Sequence, residues 1–100
     1  PKSDYQKMLT ELVKKTYKKI PNIPIVISVS SKCFSNISNN NIRQAQLETI
    51  QLFDFVFQGP DTDKLGMEYR YDGCHFNQEG KAFNSKLWVT SIVNALQRLN

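Results

Sequence analysis

The chain is short of the residues from which most nucleotide, metal and redox sites are made. Its 100 residues hold one histidine, two cysteines, one tryptophan and four glycines. The glycines are scattered, so no glycine-rich turn is available to cradle a phosphate. His75, Cys33, Cys74, Asp61 and Asp63 are the only candidate metal ligands, and they show no recognisable ligand spacing; neither a metal nor a cofactor is expected. Two cysteines do not make a disulfide framework, and the sequence leaves open whether Cys33 and Cys74 pair. No apolar run is long enough to span a membrane, and no signal-peptide pattern opens the chain. Internal repeats and low-complexity stretches are also missing. The first residue is Pro1 rather than Met, as trimming, or removal of a Met before Pro, would leave it.

A hydrophobic fraction of 40% with 22% charged residues is that of a globular chain and not of a disordered tail. The length allows one small domain or part of a larger one. The formal charge of +4 is unevenly placed. Residues 1–20 carry six lysines against Asp4 and Glu11, which accounts for all of it, whereas residues 21–100 carry seven basic and seven acidic groups. A basic helix face can bind phosphates or an anionic surface. No aromatic residues interleave with these lysines, as single-strand binding would want, so a solvated helix face is expected and nucleic acid is not an expected partner. Asn36-Ile37-Ser38 is a glycosylation sequon of the kind that often arises by chance.

Ser3-Asp4-Tyr5-Gln6 reads as a capping box. Tyr5, Met8, Leu9, Leu12, Val13, Tyr17 and Ile20 share one face, which predicts a helix over about 4–19, stopped by Pro21. Residues 24–29 are β-branched and almost continuously apolar, like a parallel strand buried on both faces. Ser30 to Asn41 is a polar loop. A second helix is expected over 41–51 with Ile42, Ala45, Thr49 and Ile50 inward. A second strand is expected over 54–58, ended by a turn at Gly59-Pro60, and residues 60–76 follow as a long irregular loop. Asn77 caps a last helix over about 78–98. Its wide face of Ala82, Trp88, Val89, Ile92, Val93, Ala95, Leu96 and Leu99 predicts burial against a sheet, with Trp88 in the core.

The order helix, strand, helix, strand, helix predicts an α/β layer with a right-handed crossover. Both long loops follow strands, so they lie at the carboxyl edge of the sheet, where open α/β folds place their sites. Two parallel strands are too few to cover three such helices. An N-terminal half outside this sequence, or a partner chain, is expected to supply the missing sheet.

The one histidine stands in Arg70-Tyr71-Asp72-Gly73-Cys74-His75-Phe76-Asn77. Asp72-Gly73 is a turn dipeptide, and the end residues of a β-turn lie within about 7 Å at Cα. The Asp72 carboxylate can therefore reach the His75 ring. Bonded to one ring nitrogen, it fixes the tautomer and frees the other nitrogen as a base. The bland alternative is a surface turn before a helix cap. Arg70 is a candidate to bind a carboxylate or a sugar hydroxyl, against the more ordinary role of a solvated side chain. Ser28, Ser30, Ser31, Ser35 and Ser38 lie near the same edge, and none stands in the glycine-flanked strand-to-helix turn that exposes a nucleophile. Cys74 is a poor nucleophile for His75, because neighbouring side chains diverge. A Cys33–Cys74 disulfide would join two loops of one edge.

Taken together, Gln58-Gly59-Pro60-Asp61-Thr62-Asp63, the run Tyr69-Arg70-Tyr71-Asp72-Gly73-Cys74-His75-Phe76, and the helix with Gly80 and Leu87-Trp88 resemble the C-terminal part of SGNH hydrolases (GDSL-type esterases), in the sialate O-acetylesterase-like branch. Ile42-Arg43-Gln44-Ala45-Gln46, after Ser30-Ser31-Lys32-Cys33, is similar to the same branch, so the resemblance covers most of the chain. It implies a three-layer α/β/α fold with a parallel sheet, flavodoxin-like, of which residues 1–100 are the C-terminal half. It also implies metal-free hydrolysis of an ester through an acyl-serine, with His75 as general base and Asp72 as its orienting partner. An O-acetylated carbohydrate is the implied substrate. The family's serine nucleophile and its glycine and asparagine oxyanion donors lie in earlier blocks that have no match here, which predicts an inactive isolated chain. Two rival expectations are a non-catalytic interaction module of the same fold, and a basic-helix binder of nucleic acid or anionic surfaces whose binding falls steeply with salt.

Overall fold

The structure, a computed structural model, describes residues 2–98. In chain order the elements are α1 (Lys2–Lys19), β1 (Ile25–Val29), α2 (Asn40–Gln51), β2 (Val56–Asp61), two single 3-10 turns at Thr62–Lys64 and Met67–Tyr69, and α3 (Gln78–Arg98). β1 and β2 pair in parallel as a two-stranded sheet. α2 packs on both strands, α1 packs on α2, and α3 packs chiefly on β2. The result is a small mixed α/β domain whose two long loops both leave the carboxyl ends of the strands. No helix among the described residues is long and apolar enough to cross a membrane.

α1 begins earlier than its capping signal predicts. Ser3 lies inside the first turn rather than at the N-cap, and Lys2 Nζ holds that turn against α2 through Glu48 Oε2 at 2.6 Å. Val13 is buried, and the Tyr17 ring lies 4.2 Å from that of Phe55. Met8, Leu12 and Ile20, expected inward, are exposed. Asn22 reverses the chain in a left-handed conformation (φ 69°), which a short polar side chain tolerates. Asn39 caps α2 by accepting from the Ile42 N–H at 3.2 Å, and Ala45 and Thr49 are buried as the apolar spacing predicts.

β2 overturns one sequence boundary. It spans Val56–Asp61, so Gly59-Pro60 lies within the strand rather than ending it. The register explains how proline is accommodated. Ile27 pairs with Gln58 and Val29 with Asp61, so β2 carries one extra residue across that interval, a bulge of the kind where proline and glycine are tolerated. Ser28 Oγ donates to the Pro60 carbonyl at 2.8 Å where the ladder is out of step. A Cβ at Gly59 would stand 3.1 Å from Val26 Cγ1 and 3.2 Å from the Ile27 carbonyl, so a side chain there would press β1 by a few tenths of an ångström.

β1 is half-buried along most of its length, with only Val29 fully enclosed. It is less enclosed than its composition predicts, and one of its edges has no neighbouring strand among the described residues. α3 departs from expectation in the same way. Ala95 is buried, but Val89 (62% exposed), Ile92, Val93 and Leu96 face outward. Ala82 is exposed and Trp88 only half-buried; Leu99 lies outside the described residues.

Asn77 starts α3 as expected, accepting from the Gly80 N–H at 2.9 Å and donating through Nδ2 to the Glu68 carbonyl at 2.8 Å. Gly80 is buried where a side chain has no room. An added Cβ would overlap the Tyr69 carbonyl oxygen, which already accepts the Asn77 N–H at 2.8 Å, and would stand 3.0 Å from Phe76 Cβ. Gly80→Ala is therefore expected to destabilise the chain by about 1–3 kcal/mol despite the better helix propensity of alanine. Urea unfolding of the two forms checks this, and an unchanged midpoint would mean that α3 can shift away at no cost.

Candidate active site

The loop that carries the histidine is closed by its own backbone. Arg70 and Phe76 form an isolated antiparallel bridge, and the Tyr71 N–H donates to the His75 carbonyl at 3.0 Å. Between them Gly73 turns at φ 83°, a left-handed conformation that favours glycine. Asp72 folds back across this turn. Its Oδ1 accepts the N–H groups of Cys74 (2.8 Å) and His75 (2.6 Å), and its Oδ2 lies 2.6 Å from His75 Nδ1.

An ionised carboxylate only accepts, so Nδ1 carries the proton, and in the neutral ring the lone pair is left on Nε2. The ring is 68% exposed at its side chain, and the Tyr71 ring lies over it at 5.9 Å between centroids. The hydrogen bond from the His75 ring, followed by those from the two backbone N–H groups, holds the Asp72 carboxyl down at about 2, against a smaller opposing cost of desolvation. The geometry expected of an orienting acid and its base is thus present.

A second loop, residues 30–39, is fastened beside the first. Cys33 and Cys74 are joined in a disulfide, with their Cα atoms 4.1 Å apart, which closes the alternative that the sequence left open. Phe34, exposed and left-handed at φ 60°, donates its N–H to the Gly73 carbonyl at 2.7 Å. At the root of this loop, Gln46 from α2 accepts the Ser30 N–H (2.9 Å) and donates to the Ser30 carbonyl (3.0 Å) and to Tyr5 Oη (3.0 Å). Asp63 accepts the N–H groups of Ser31 (2.8 Å) and Lys32 (2.9 Å) on Oδ1 and the Ser31 hydroxyl (2.6 Å) on Oδ2.

Arg43 Nη1 reaches Asp63 at 2.9 Å, and its fork holds Asp61 at 2.7 and 2.8 Å. Burial alone would raise the Asp63 carboxyl, but the hydrogen bonds from Ser31 and Lys32 and the guanidinium of Arg43 outweigh it and hold it well below the usual carboxylate range. Asp61 is held low first by its bond to Arg43, which is itself kept charged.

These bonds dispose of two sequence candidates. Asp61 and Asp63 face an arginine, and Cys33 and Cys74 are bonded to each other, so the set weighed as metal ligands is engaged otherwise. Among the described residues no group of three or more acidic, cysteine or histidine side chains is placed to hold a metal. Arg70 is not the solvated side chain that was the ordinary expectation. It is 8% exposed, and four of its donor contacts go to main-chain carbonyls, which leaves little for a substrate. Among the described residues no serine hydroxyl is hydrogen-bonded to the histidine ring. Ser28 Oγ bonds Pro60, Ser31 Oγ bonds Asp63, and Ser35 Oγ accepts the Ile37 N–H.

Phe34 is not singled out by the sequence, Gln46 stands there only within a run that resembles the family, and Asp63 only as a candidate metal ligand and in such a run, not as the acceptor that holds the β1 loop. The only available signals were a polar residue on the inward face of α2 and an acidic residue next to a strand end. A cleft of about 560 Å³ is lined by Phe57, Gln58, Asn94, Ala95 and Arg98 among others, and by no residue of the 70–76 loop. The Asp72–His75 pair thus stands on open surface. No family model, curated protein or solved structure gives a significant match to this chain.

Four carboxyls, Glu48 beside Lys2 and Asp61, Asp63 and Asp72 in the site region, are held below their ordinary value of about 4 and set the direction of the acid response. Their stabilisation is complete above that value and is lost as pH falls through the lower folded-state values. Thermal unfolding is expected to be steady from neutral pH down to about 5, then to weaken progressively. Asp63→Asn should cost about 3 kcal/mol at neutral pH, because Arg43 loses an anion and an amide NH2, a donor, takes the place of the oxygen that accepts from Arg43 Nη1 and the Ser31 hydroxyl, and should flatten the acid decline. An acid decline as steep as that of the unaltered chain would show that Asp63 is not its source. Asp72→Ala leaves the Cys74 and His75 N–H groups without an acceptor. Their amide exchange should accelerate severalfold, while exchange in β1 stays as it was.

Proposed function

We propose that this chain is the base-carrying part of a serine esterase of the SGNH type, acting on acetyl groups carried by a carbohydrate. The observation that carries this is the 2.6 Å approach of His75 Nδ1 to Asp72 Oδ2, with that carboxylate fixed by two backbone N–H groups and the ring exposed. Such a pair takes a proton on Nε2 from an attacking hydroxyl as the oxygen–carbon bond to the ester carbonyl forms. It then returns the proton to the leaving alcohol as the carbonyl–oxygen bond breaks. Water enters by the same route and releases acetate from the serine. The run Arg70-Tyr71-Asp72-Gly73-Cys74-His75-Phe76 supports the family, and the implied substrate comes with that resemblance.

The nucleophile and the oxyanion donors come from outside these 100 residues, from an N-terminal half or a partner chain. The same source extends the sheet into a three-layer α/β/α fold and covers the outward faces of α1 and α3. Alone, the chain forms no acyl-enzyme, because it has nothing to stabilise the tetrahedral intermediate.

Fluorophosphonate labelling of the full-length parent protein, with the modified peptide identified by mass spectrometry, tests this. The expected result is a label on a serine outside residues 1–100, lost on His75→Ala. A folded parent that takes no label would make the domain a non-catalytic module of the same class, with Asp72 and His75 a turn and a helix lead-in. Esterase turnover by the isolated chain, abolished by His75→Ala, would contradict the division of the site between two segments.

A further inference from the structure

Arg70 is the most completely enclosed cation of the site region, and its partners are neutral. Nε donates to the Leu65 carbonyl at 3.1 Å and Nη2 to the Thr62 carbonyl at 2.9 Å. Nη1 donates to the Cys74 carbonyl at 2.7 Å and to the Lys32 carbonyl at 3.3 Å. The guanidinium carbon lies 4.6 Å from the centroid of the Phe76 ring. Four carbonyls therefore converge on one fork, and they belong to three separate segments: the loop after β1, the loop after β2, and the histidine loop itself. Two of the partners, Cys74 and Phe76, are the residues immediately before and after His75. An arginine placed to meet substrate would keep donors free and face solvent, whereas this one spends them on main-chain carbonyls, tying the peptide before the base to two neighbouring loops.

We infer that Arg70 is a positioning residue for His75. It fixes the peptide before the histidine and the ring after it against the carbonyls of Lys32, Thr62 and Leu65, and so sets where Nε2 stands relative to the neighbouring loop. The kinetic consequence rests on the esterase function proposed above; the geometric one does not. The residue type follows from the task. A lysine ammonium has three donors at one point and no flat face, so it cannot reach four spread carbonyls and stack on an aromatic ring together. The loop has other attachments near its tip, the Cys33–Cys74 disulfide and the Phe34 N–H to the Gly73 carbonyl. Altering Arg70 should therefore leave the loop tethered but displaced. Displacement is costly in rate, since a misplacement of about 1 Å can lower turnover about a hundredfold.

The test uses the full-length parent with 4-nitrophenyl acetate as substrate, and compares Arg70→Lys and Phe76→Leu with the unaltered protein. The second variant keeps an apolar side chain and removes only the ring beneath the guanidinium. Two quantities are read: kcat and KM separately, and the low-field proton resonance of the His75 Nδ1–Asp72 hydrogen bond. Arg70→Lys is expected to lower kcat by about 10- to 100-fold with KM within about threefold, and to shift or broaden the low-field resonance. Phe76→Leu is expected to act in the same direction by a smaller factor.

A rise in KM with kcat preserved would make Arg70 a substrate-binding group and overturn the inference. So would an unchanged kcat and resonance in a folded Arg70→Lys protein. If Arg70→Lys does not fold, Phe76→Leu decides by the same criteria. An unaltered parent with neither turnover nor a fluorophosphonate label would defeat the esterase proposal alone, and the resonance of the variants would still decide whether Arg70 places the histidine.

Discussion

Peptide groups just past the end of a strand have no ladder to join, and burying them unbonded is costly. The region around His75 depends on how three side chains meet that demand over Ser30, Ser31 and Lys32. Gln46 bonds both the N–H and the carbonyl of Ser30 and so stands in for a neighbouring strand. Asp63 takes the next two N–H groups. Arg70 takes the Lys32 carbonyl. Immediately afterwards the disulfide at Cys33 and the N–H of Phe34 attach to the histidine loop. A continuous series of bonds therefore runs from the buried end of β1 to the turn that holds Asp72 and His75.

The charges in this series are arranged so that each buried ion has polar partners. Asp63 is nearly enclosed, with 4% of its side chain exposed, and burial opposes its ionised state. It remains charged because two N–H groups, a hydroxyl and a guanidinium converge on it. Arg70 solves the converse problem with four carbonyl dipoles and an aromatic face in place of an anion. Removing one partner from such an arrangement leaves the other uncompensated, which costs more than the bond contributed. The pair at the surface differs. Asp72 and His75 are partly open to solvent, and their bond orients a reactive ring more than it stabilises the fold.

What could be read from the sequence was mostly local. Asp72 reaches His75 across three residues and a glycine turn, and Asn77 reaches Gly80 across three, so chain spacing alone determines which groups meet. Gln46 meets partners 16 and 41 residues away, Asp63 meets Ser31 across 32, and Arg70 adds the Lys32 carbonyl, 38 residues away, to three nearer ones; only the fold brings the distant ones together. For that reason an arginine two residues from the aspartate could be mistaken for a solvated or substrate-facing side chain. Gly59-Pro60 misled for a different cause. The pair normally ends a strand, but here a bulge with a side-chain bond from Ser28 carries the strand past it. Apolar periodicity identified α1 and α3 correctly as helices and failed on their burial. The pattern records which face is meant to be covered, and says nothing of whether the covering element lies within these residues.

That failure bears directly on the site. A two-stranded parallel sheet leaves one edge of each strand unpaired, and Met8, Leu12, Val89, Ile92 and Leu96 stand exposed on α1 and α3. The Asp72–His75 pair is likewise complete in itself and stands exposed, with no serine hydroxyl among the described residues bonded to its ring. Under the proposed function these are one deficit. Any strand added in parallel to β1 or β2 ends at the same edge as the loops 30–39 and 62–76, because parallel strands share their carboxyl side. A segment that pairs with the free edge and buries the helix faces therefore also delivers its own following loop beside His75. The side chains that fix the histidine loop to the β1 loop, Arg70 above all, then matter for a second reason: they hold half of a divided site in shape while the other half is supplied by different residues.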